Sequence, residues 1–216
     1  IFNANLLPGI EFDYLHLALP LGISFFTLQQ IAFIVDCYRT GLKERNPVDY
    51  ALFVSFFPQL IAGPIVHHRE IMPQFESTDN VRFQSAKFAL GTFVFSIGLF
   101  KKVVIADTLA GIVDQIYQDP SQANSFTLLL GAIGFSFQIY GDFSGYSDIA
   151  LGTAKLFGFE LLSNFKFPYF SRDVAEFWRR WHISLSSWFR DYLYIPLGGS
   201  RVGKVKAVRN TFLIFL

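Results

Sequence analysis

The sequence predicts an all-α fold, a polytopic transmembrane helical bundle in which some helices are broken or re-entrant. Its mean hydropathy is +0.37, and charged residues make up only 16% of its 216 residues, whereas soluble domains carry about 25%. Long charge-free runs alternate with short polar connectors, and several runs contain proline, glutamine or glycine. The net charge of +1 also argues against a nucleic-acid partner, which would require a clustered basic surface.

Four apolar segments are predicted to enter the membrane in chain order. Three charge-free runs reach roughly the 20 residues that cross a hydrocarbon core, namely Tyr14–Val35, Tyr50–His68 and Pro120–Gly141. The fourth, Phe88–Phe100, is shorter and continues past two lysines into another apolar stretch. No linker or tandem repeat interrupts the chain, so we interpret residues 1–216 as one membrane domain. We expect this domain to be incomplete at both ends, because it starts with Ile1 and stops within an apolar run.

The segment Phe137–Gly152 is predicted to contain a helix break at membrane depth. It holds Gly141, Gly145 and Gly152 together with the polar residues Gln138, Asp142, Ser144 and Asp148. Broken helices persist in a bilayer only when they are buried in protein or line a wet cavity. Two compatible interpretations remain open: the two aspartates cap a tight helical hairpin, or Gln138, Asp142 and Ser144 line a polar substrate cavity.

The stretch "RRWHISLSSWFRDYLYIPLGG" concentrates polar groups around one histidine, His182. Asp173, three residues before Glu176, indicates a capped helix start. If one helix continues from there, a turn of 100° per residue places His182 at a seam between apolar and polar surface. The apolar flank holds Trp178, Leu185 and Phe189, and the polar flank holds Arg179, Ser186 and Arg190. A histidine can take a proton from an attacking hydroxyl, but a purely structural role stays open.

Several neighbours of His182 are candidate substrate-binding groups. The indole N–H of Trp181 or Trp188, or the guanidinium of Arg190, could stabilise an oxyanion; the tryptophans could instead anchor a helix at the membrane interface. Ser186 is a further candidate on the polar flank. No metal site is predicted, because the adjacent His67 and His68 would diverge on a helix and no carboxylate stands at a ligand spacing.

Five stretches, spread in order over nearly the whole chain, resemble the membrane-bound O-acyltransferase family, and most closely its bacterial alginate O-acetyltransferase branch. They are "LPLGISFFTLQQIAFIVDCYR", "FFPQLIAGPIVHHREIMPQF", "GLFKKVVIAD", "QIYGDFSGYSDIALG" and "RRWHISLSSWFRDYLYIPLGG". The branch also includes the D-alanyl transferase of teichoic acids and acetylases of other surface polysaccharides.

The resemblance implies an integral enzyme of the bacterial cytoplasmic (inner) membrane. Such an enzyme moves an acetyl or other acyl group to hydroxyls of an exported polysaccharide, which for this branch would be alginate. The resemblance also implies acetyl-CoA as acyl donor without a bound cofactor. The implied partners are the lipid bilayer, the polysaccharide acceptor and periplasmic acetylation proteins.

Members of the family carry two important histidines. His182 matches the first, within "WHISLS", whereas the second, usually taken as the catalytic base, lies further downstream, beyond Leu216. The resemblance therefore gives His182 a supporting active-site role. We expect the 216 residues alone to insert into membranes but to transfer no acyl group, because loss of a general base costs roughly 100- to 10,000-fold in rate.

Two alternatives come from other functional classes. In a transporter or channel, Asp142, Asp148 and Lys101 would form an ion path through the membrane. No inverted repeat of "GDFSGYSD" is visible in the other half of the chain, which argues against this class. A scaffold that binds an acyl donor without chemistry is the second alternative, and only an assay separates it from the enzyme.

The basic connectors predict the orientation of the chain in the membrane. Residues 38–46 contain three basic residues and residues 201–209 contain four, and such connectors face the cytoplasm under the positive-inside rule. Cysteines at Lys43 and Lys204 should therefore resist a membrane-impermeant maleimide in intact cells and react once the cells are permeabilised. Ready labelling of either cysteine in intact cells would reverse the orientation.

Overall fold

The computed structural model describes residues 22–41, 46–60, 63–121 and 123–215, which form helices and loops without a strand. The predicted all-α class is therefore confirmed, while Lys43 lies outside this part of the chain. The helices are α1 (Ile23–Thr40), α2 (Pro47–Ser55), α3 (Phe57–Leu60), α4 (His68–Glu76), α5 (Ser85–Leu99), α6 (Asp107–Gln118), α7 (Ser125–Leu156), α8 (Val174–Arg180), α9 (Ile183–Phe189) and α10 (Lys204–Phe215). Short 3₁₀ turns occur at Thr78–Val81 and Pro168–Phe170, and π-helical segments at Phe100–Ala106 and Arg190–Tyr194.

Within the described part of the chain, two helices are long and apolar enough to cross a membrane. One is the continuous rod Ser85–Gln118, made of α5, the first π segment and α6, and the other is α7. Only 11% of the most apolar part of each is buried, and large side chains such as Phe93 and Leu129 face outward. A helix in the core of a soluble protein would bury such side chains, so this surface is typical of contact with lipid.

Glycines bring the rod and α7 into antiparallel backbone contact. A Cβ atom added to Gly98 would lie 2.6 Å from the carbonyl oxygen of Gly145, and one added to Gly152 would lie 2.5 Å from the backbone nitrogen of Phe95. Gly91 meets the same surface, since its Cβ would lie 2.9 Å from the carbonyl oxygen of Gly152. Small residues at such positions allow membrane helices to approach closely.

The predicted break in Phe137–Gly152 is wrong, because α7 is continuous through the whole segment. Its glycines serve contact with the neighbouring rod and leave the backbone hydrogen bonding of the helix uninterrupted. Asp142 and Asp148 therefore do not cap helix ends. They pair with lysines of the π segment: the Lys102 Nζ–Asp142 Oδ1 distance is 2.8 Å and the Lys101 Nζ–Asp148 Oδ2 distance is 2.6 Å.

The interruption of helical structure lies instead between α2 and α4. The charge-free run Tyr50–His68 is not one span, because α2 ends at Ser55 and residues 63–67 are buried without being helical. Pro58 and Pro64 each lack the N–H that a continuing helix would need. The carbonyl of Phe53, near the end of α2, accepts hydrogen bonds from the amides of Gln29 and Gln59 at 3.3 and 2.9 Å. The glutamines thus supply donors to the end of a broken helix.

Two apolar clusters connect these elements. The first joins α2, α4 and α7 through buried residues that include Phe53, Ile71 and Ala154. The second joins α1, the buried segment 63–67 and α9 through Ala32, Ile65 and Trp188. The second cluster places α9 against α1, and it therefore fixes one side of the candidate site described below.

Replacing Gly152 by alanine tests the backbone contact between α7 and the rod. The new methyl group would collide with the Phe95 backbone, and overpacking of this kind costs about 1–3 kcal/mol. We expect the full-length protein in detergent to unfold at a lower temperature. Gly111→Ala is the matched control, because its Cβ would meet no atom within 4 Å and alanine favours the helix. Equal thermal stability of both variants would contradict the contact.

Candidate active site around His182

A cavity of about 460 Å³ opens beside His182. Its walls come from α8, α9, the second π segment and α10, and they are mostly aromatic or aliphatic. The lining residues are Trp178, Trp181, His182, Leu185, Ser186, Phe189, Arg190, Tyr194 and Ile214. The volume falls within the range of small-molecule sites, roughly 300–1,000 Å³.

A sharp turn at His182 separates α8 from α9. The single helix assumed for the seam position is therefore wrong: α8 ends at Arg180, α9 begins at Ile183, and His182 has φ 43° and ψ 57°. The predicted start is confirmed, since the Asp173 side chain accepts a hydrogen bond from the Glu176 N–H at 2.7 Å. A left-handed conformation costs a non-glycine residue about 1–2 kcal/mol, so neighbouring contacts must hold the turn.

Asn164 supplies those contacts. Its backbone carbonyl accepts from Ile183 N–H at 2.9 Å, and its side-chain oxygen accepts from Ser184 N–H at 3.3 Å. Asn164 is fully buried. The Ser184 hydroxyl in turn accepts from Ile65 N–H at 3.0 Å. The first backbone donors of α9 are thus satisfied by a distant loop rather than by a local cap.

The His182 ring lies in an apolar environment. Its centroid is 4.7 Å from that of Phe143 on α7 and 6.0 Å from that of Phe25 on α1. Burial lowers the pKa of His182 to about 4, because desolvation disfavours the charged form. The imidazole is therefore neutral at pH 7. Its Nε2 atom is buried and makes no hydrogen bond within the described part of the chain, so the hydrogen-bonding capacity of this nitrogen is unused there.

Three of the predicted binding residues share the cavity with His182. Trp181 also packs against two phenylalanines: its ring centroid is 5.1 Å from that of Phe165 and 5.6 Å from that of Phe177. The Ser186 hydroxyl lies 3.4 Å from the Trp181 carbonyl oxygen, to which it donates. The Arg190 guanidinium donates to both carboxylate oxygens of Asp191, at 2.7 and 3.1 Å.

Trp188, another of the predicted binding residues, occupies a different environment. Its side chain is buried beside Ala32 and Ile65, and its indole N–H donates to the Leu28 carbonyl oxygen at 2.9 Å. The indole therefore anchors α9 to α1 inside the protein, and its single donor is already used. It does not line the cavity.

The polar residues of α7 lie away from the cavity lining. Asp142 pairs with Lys102, Ser144 is fully buried, and the half-buried Gln138 has its amide oxygen buried without a partner among the described residues. Asp148 and Lys101 are also paired with each other. These pairs join neighbouring helices and neutralise each carboxylate.

Sequence reasoning missed a partly buried network of Asp36, Tyr192 and His67. The Tyr192 hydroxyl donates to Asp36 Oδ1 at 2.8 Å and lies 3.1 Å from His67 Nδ1. Burial, followed by the nearby Asp36 carboxylate, raises the pKa of the Tyr192 hydroxyl, which therefore remains a donor. The network connects the second π segment to α1 and to the segment 63–67. The same π segment contains Arg190, which lines the cavity. No sequence spacing could reveal it, because its members are far apart in the chain.

Replacing Tyr192 by phenylalanine should destabilise the protein. The change leaves the partly buried Asp36 carboxylate without its tyrosine donor, and a hydrogen bond to a charged group contributes about 1.5–3 kcal/mol. Thermal unfolding of the purified full-length protein measures the effect. Tyr38→Phe, on the same helix α1 but 90% exposed, is the control and should leave stability unchanged. If the Tyr192→Phe and Tyr38→Phe variants unfolded at the same temperature, the result would contradict a stabilising role of the network.

Comparison with known proteins places this arrangement in a family. A model of the membrane-bound O-acyltransferase family matches residues 38–216. A peptidoglycan O-acetyltransferase of Helicobacter pylori is 47% identical over 99% of this chain and 45% of its own length. A probable alginate O-acetylase of Pseudomonas syringae pv. tomato is 48% identical over 96% of this chain and 40% of its own length.

A more distant relative is a teichoic acid D-alanyltransferase of Bacillus subtilis, 31% identical over 81% of this chain and 45% of its own length. The chain thus spans less than half the length of these relatives. The match of the family model over most of the sequence shows that the chain belongs to the membrane-bound O-acyltransferase family.

Proposed function

We propose that the chain is part of a polytopic membrane enzyme that transfers an acetyl group to hydroxyls of an exported polysaccharide. The observation that carries this proposal is the cavity lined by His182, whose neutral imidazole has a buried nitrogen without a hydrogen bond in the described part of the chain. Relatives named as O-acetyltransferases support the reaction class. The outward-facing apolar helices support a membrane location, and we propose the bacterial cytoplasmic membrane.

The chemistry is the transfer of an acyl group from the sulfur atom of a thioester to the oxygen atom of a sugar hydroxyl. A sugar hydroxyl attacks the carbonyl carbon of an acyl thioester, so that a C–O bond forms and the C–S bond breaks. The proton of the hydroxyl passes through a base to the leaving thiolate. We propose acetyl-CoA as the donor. In this scheme His182 Nε2 accepts a hydrogen bond from the attacking hydroxyl and orients it, which is a supporting role.

The remaining cavity residues suit substrate binding. The Ser186 hydroxyl and the Arg190 guanidinium supply polar contacts in a wall that is otherwise apolar. Trp181 and Trp178 supply flat aromatic surface, against which a sugar ring or an acyl chain can pack. An apolar wall also excludes water, which would otherwise compete with the acceptor hydroxyl for the thioester.

Alginate is the first acceptor that we propose, because several relatives with 46–48% identity are named alginate O-acetylases. Peptidoglycan is the second candidate, since the Helicobacter relative has nearly the same identity over 99% of the chain. Both acceptors lie outside the cytoplasm. We therefore propose that extracytoplasmic proteins of the acetylation machinery are partners of the whole enzyme.

Replacing His182 by alanine in the full-length protein tests the proposal. We expect acetylation to fall about 100-fold, the lower range for a proton-transfer group, while abundance in the membrane stays near normal. The O-acetyl content of alginate and of peptidoglycan from the same cells identifies the acceptor. His68→Ala is the matched control, because His68 is similarly buried, between Phe33 and Phe53, outside the cavity. It should lower abundance rather than acetylation per molecule.

Normal acetylation by the His182 variant would remove this residue from the site. Loss of abundance in step with activity would make it a structural histidine. If the unmodified enzyme binds acetyl-CoA but transfers no acetyl group to either polymer, the result would favour the alternative of a scaffold that binds an acyl donor without chemistry.

A further inference from the structure

Another cavity, of about 260 Å³, lies where both membrane-length helices end. The rod begins at Ser85 and α7 ends at Leu156, and the cavity occupies the corner between these two ends. Its lining residues are Asn80, Arg82, Phe83, Gln84, Lys87, Leu156, Phe157 and Gly158. In a bilayer the ends of such helices lie at the depth of the lipid headgroups, because each helix exceeds the hydrocarbon thickness of about 30 Å.

The cavity is basic. Arg82 and Lys87 are among the lining residues, and none of the lining residues that the structure describes is an aspartate or a glutamate. Lys87 Nζ donates to Asn80 Oδ1 at 3.2 Å and to the Gly158 carbonyl oxygen at 2.9 Å. Both acceptors are neutral, so these bonds hold the ammonium in place without cancelling its charge. An ammonium has three donors, and the third can serve an anion in the cavity.

Gly158 contributes to this geometry through its backbone. Its φ is +88°, a conformation that favours glycine, and an added Cβ would lie 3.2 Å from Asn80 Oδ1. The turn after α7 therefore presents its carbonyl to Lys87 at a position where a larger residue would be strained. The half-buried lysine is thus held at a defined place in the cavity rather than extended into solvent.

Aromatic side chains flank the cavity on the outer surface. Phe83, Phe88 and Phe157 are 77%, 47% and 54% exposed, and the rings of Phe83 and Phe88 are 5.5 Å apart. Below them the outward faces of α5 and α7 are apolar. A ligand that combines an anionic group with apolar chains would match both surfaces together.

We infer that this cavity binds the phosphate of an anionic membrane lipid such as phosphatidylglycerol. The two cations contact the phosphate oxygens, and the acyl chains run along the apolar faces of α5 and α7. The occupant is assigned by charge complementarity and by the position of the cavity at headgroup depth. A free phosphate ion would meet the same cations but would lose the contacts of the chains.

A lipid titration tests this site independently of acyl transfer. Full-length protein in detergent is titrated with short-chain fluorescent phosphatidylglycerol, and with phosphatidylcholine of the same chains, at fixed ionic strength. We expect the protein to bind phosphatidylglycerol more tightly than phosphatidylcholine. Arg82→Gln or Lys87→Gln should each weaken the binding of phosphatidylglycerol about fivefold, which is the effect of one basic residue near an anionic lipid surface. Lys87→Gln retains a side-chain amide that can still contact Asn80 and Gly158.

The double variant Lys204→Gln with Lys206→Gln is the control, because it removes two exposed basic residues from α10. It should leave phosphatidylglycerol binding unchanged. The proposal would be overturned if the control variant bound phosphatidylglycerol as weakly as the Arg82 or Lys87 variant, or if the protein bound the two lipids equally well. Displacement of the fluorescent lipid by inorganic phosphate at equal concentration would show a simple anion site and would also overturn it. Arg82 is exposed, so its variant remains informative if Lys87→Gln lowers stability.

Discussion

The backbone contact between the rod Ser85–Gln118 and α7 is the constraint on which the other features depend. Glycines on both helices let main chains meet at distances that exclude a Cβ atom. This contact fixes the register in which Lys101 and Lys102 face Asp148 and Asp142. Unpaired charges within a membrane-length helix would be costly, so the register and the pairing support each other.

The same register positions the candidate active site. Phe143, on α7 next to Asp142, packs edge-on against the His182 ring. On the other side, Asn164 holds the left-handed turn at His182, and Trp188 and Tyr192 bind the following segment to α1. The turn therefore depends on contacts from several distant segments. A site residue held in this way is placed in one orientation before substrate arrives, which reduces the cost of orienting it during reaction.

Local patterns in the sequence predicted the features that depend on local physics. Hydropathy predicted the all-α class, and the Asp173 cap formed as expected. Trp181, Ser186 and Arg190 line one cavity with His182, and their role in binding stays a prediction. Features set by distant contacts could not be predicted in this way. The glycines of α7 suggested a break, although they serve packing against a helix some fifty residues earlier. A helical wheel for residues 173–194 failed because the chain turns at His182, where Asn164, outside the wheel, accepts hydrogen bonds from the first backbone donors of α9.

The length of the rod has a further consequence. Its 34 residues span about 50 Å, roughly 20 Å more than the hydrocarbon core of a typical bilayer. Hydrophobic mismatch of this size is accommodated by tilt or by projection of the helix ends. Because α7 packs against the rod over several turns, both helices must tilt as one body, and Phe143 moves with them. The thickness of the surrounding membrane is thereby linked mechanically to the position of the wall behind His182.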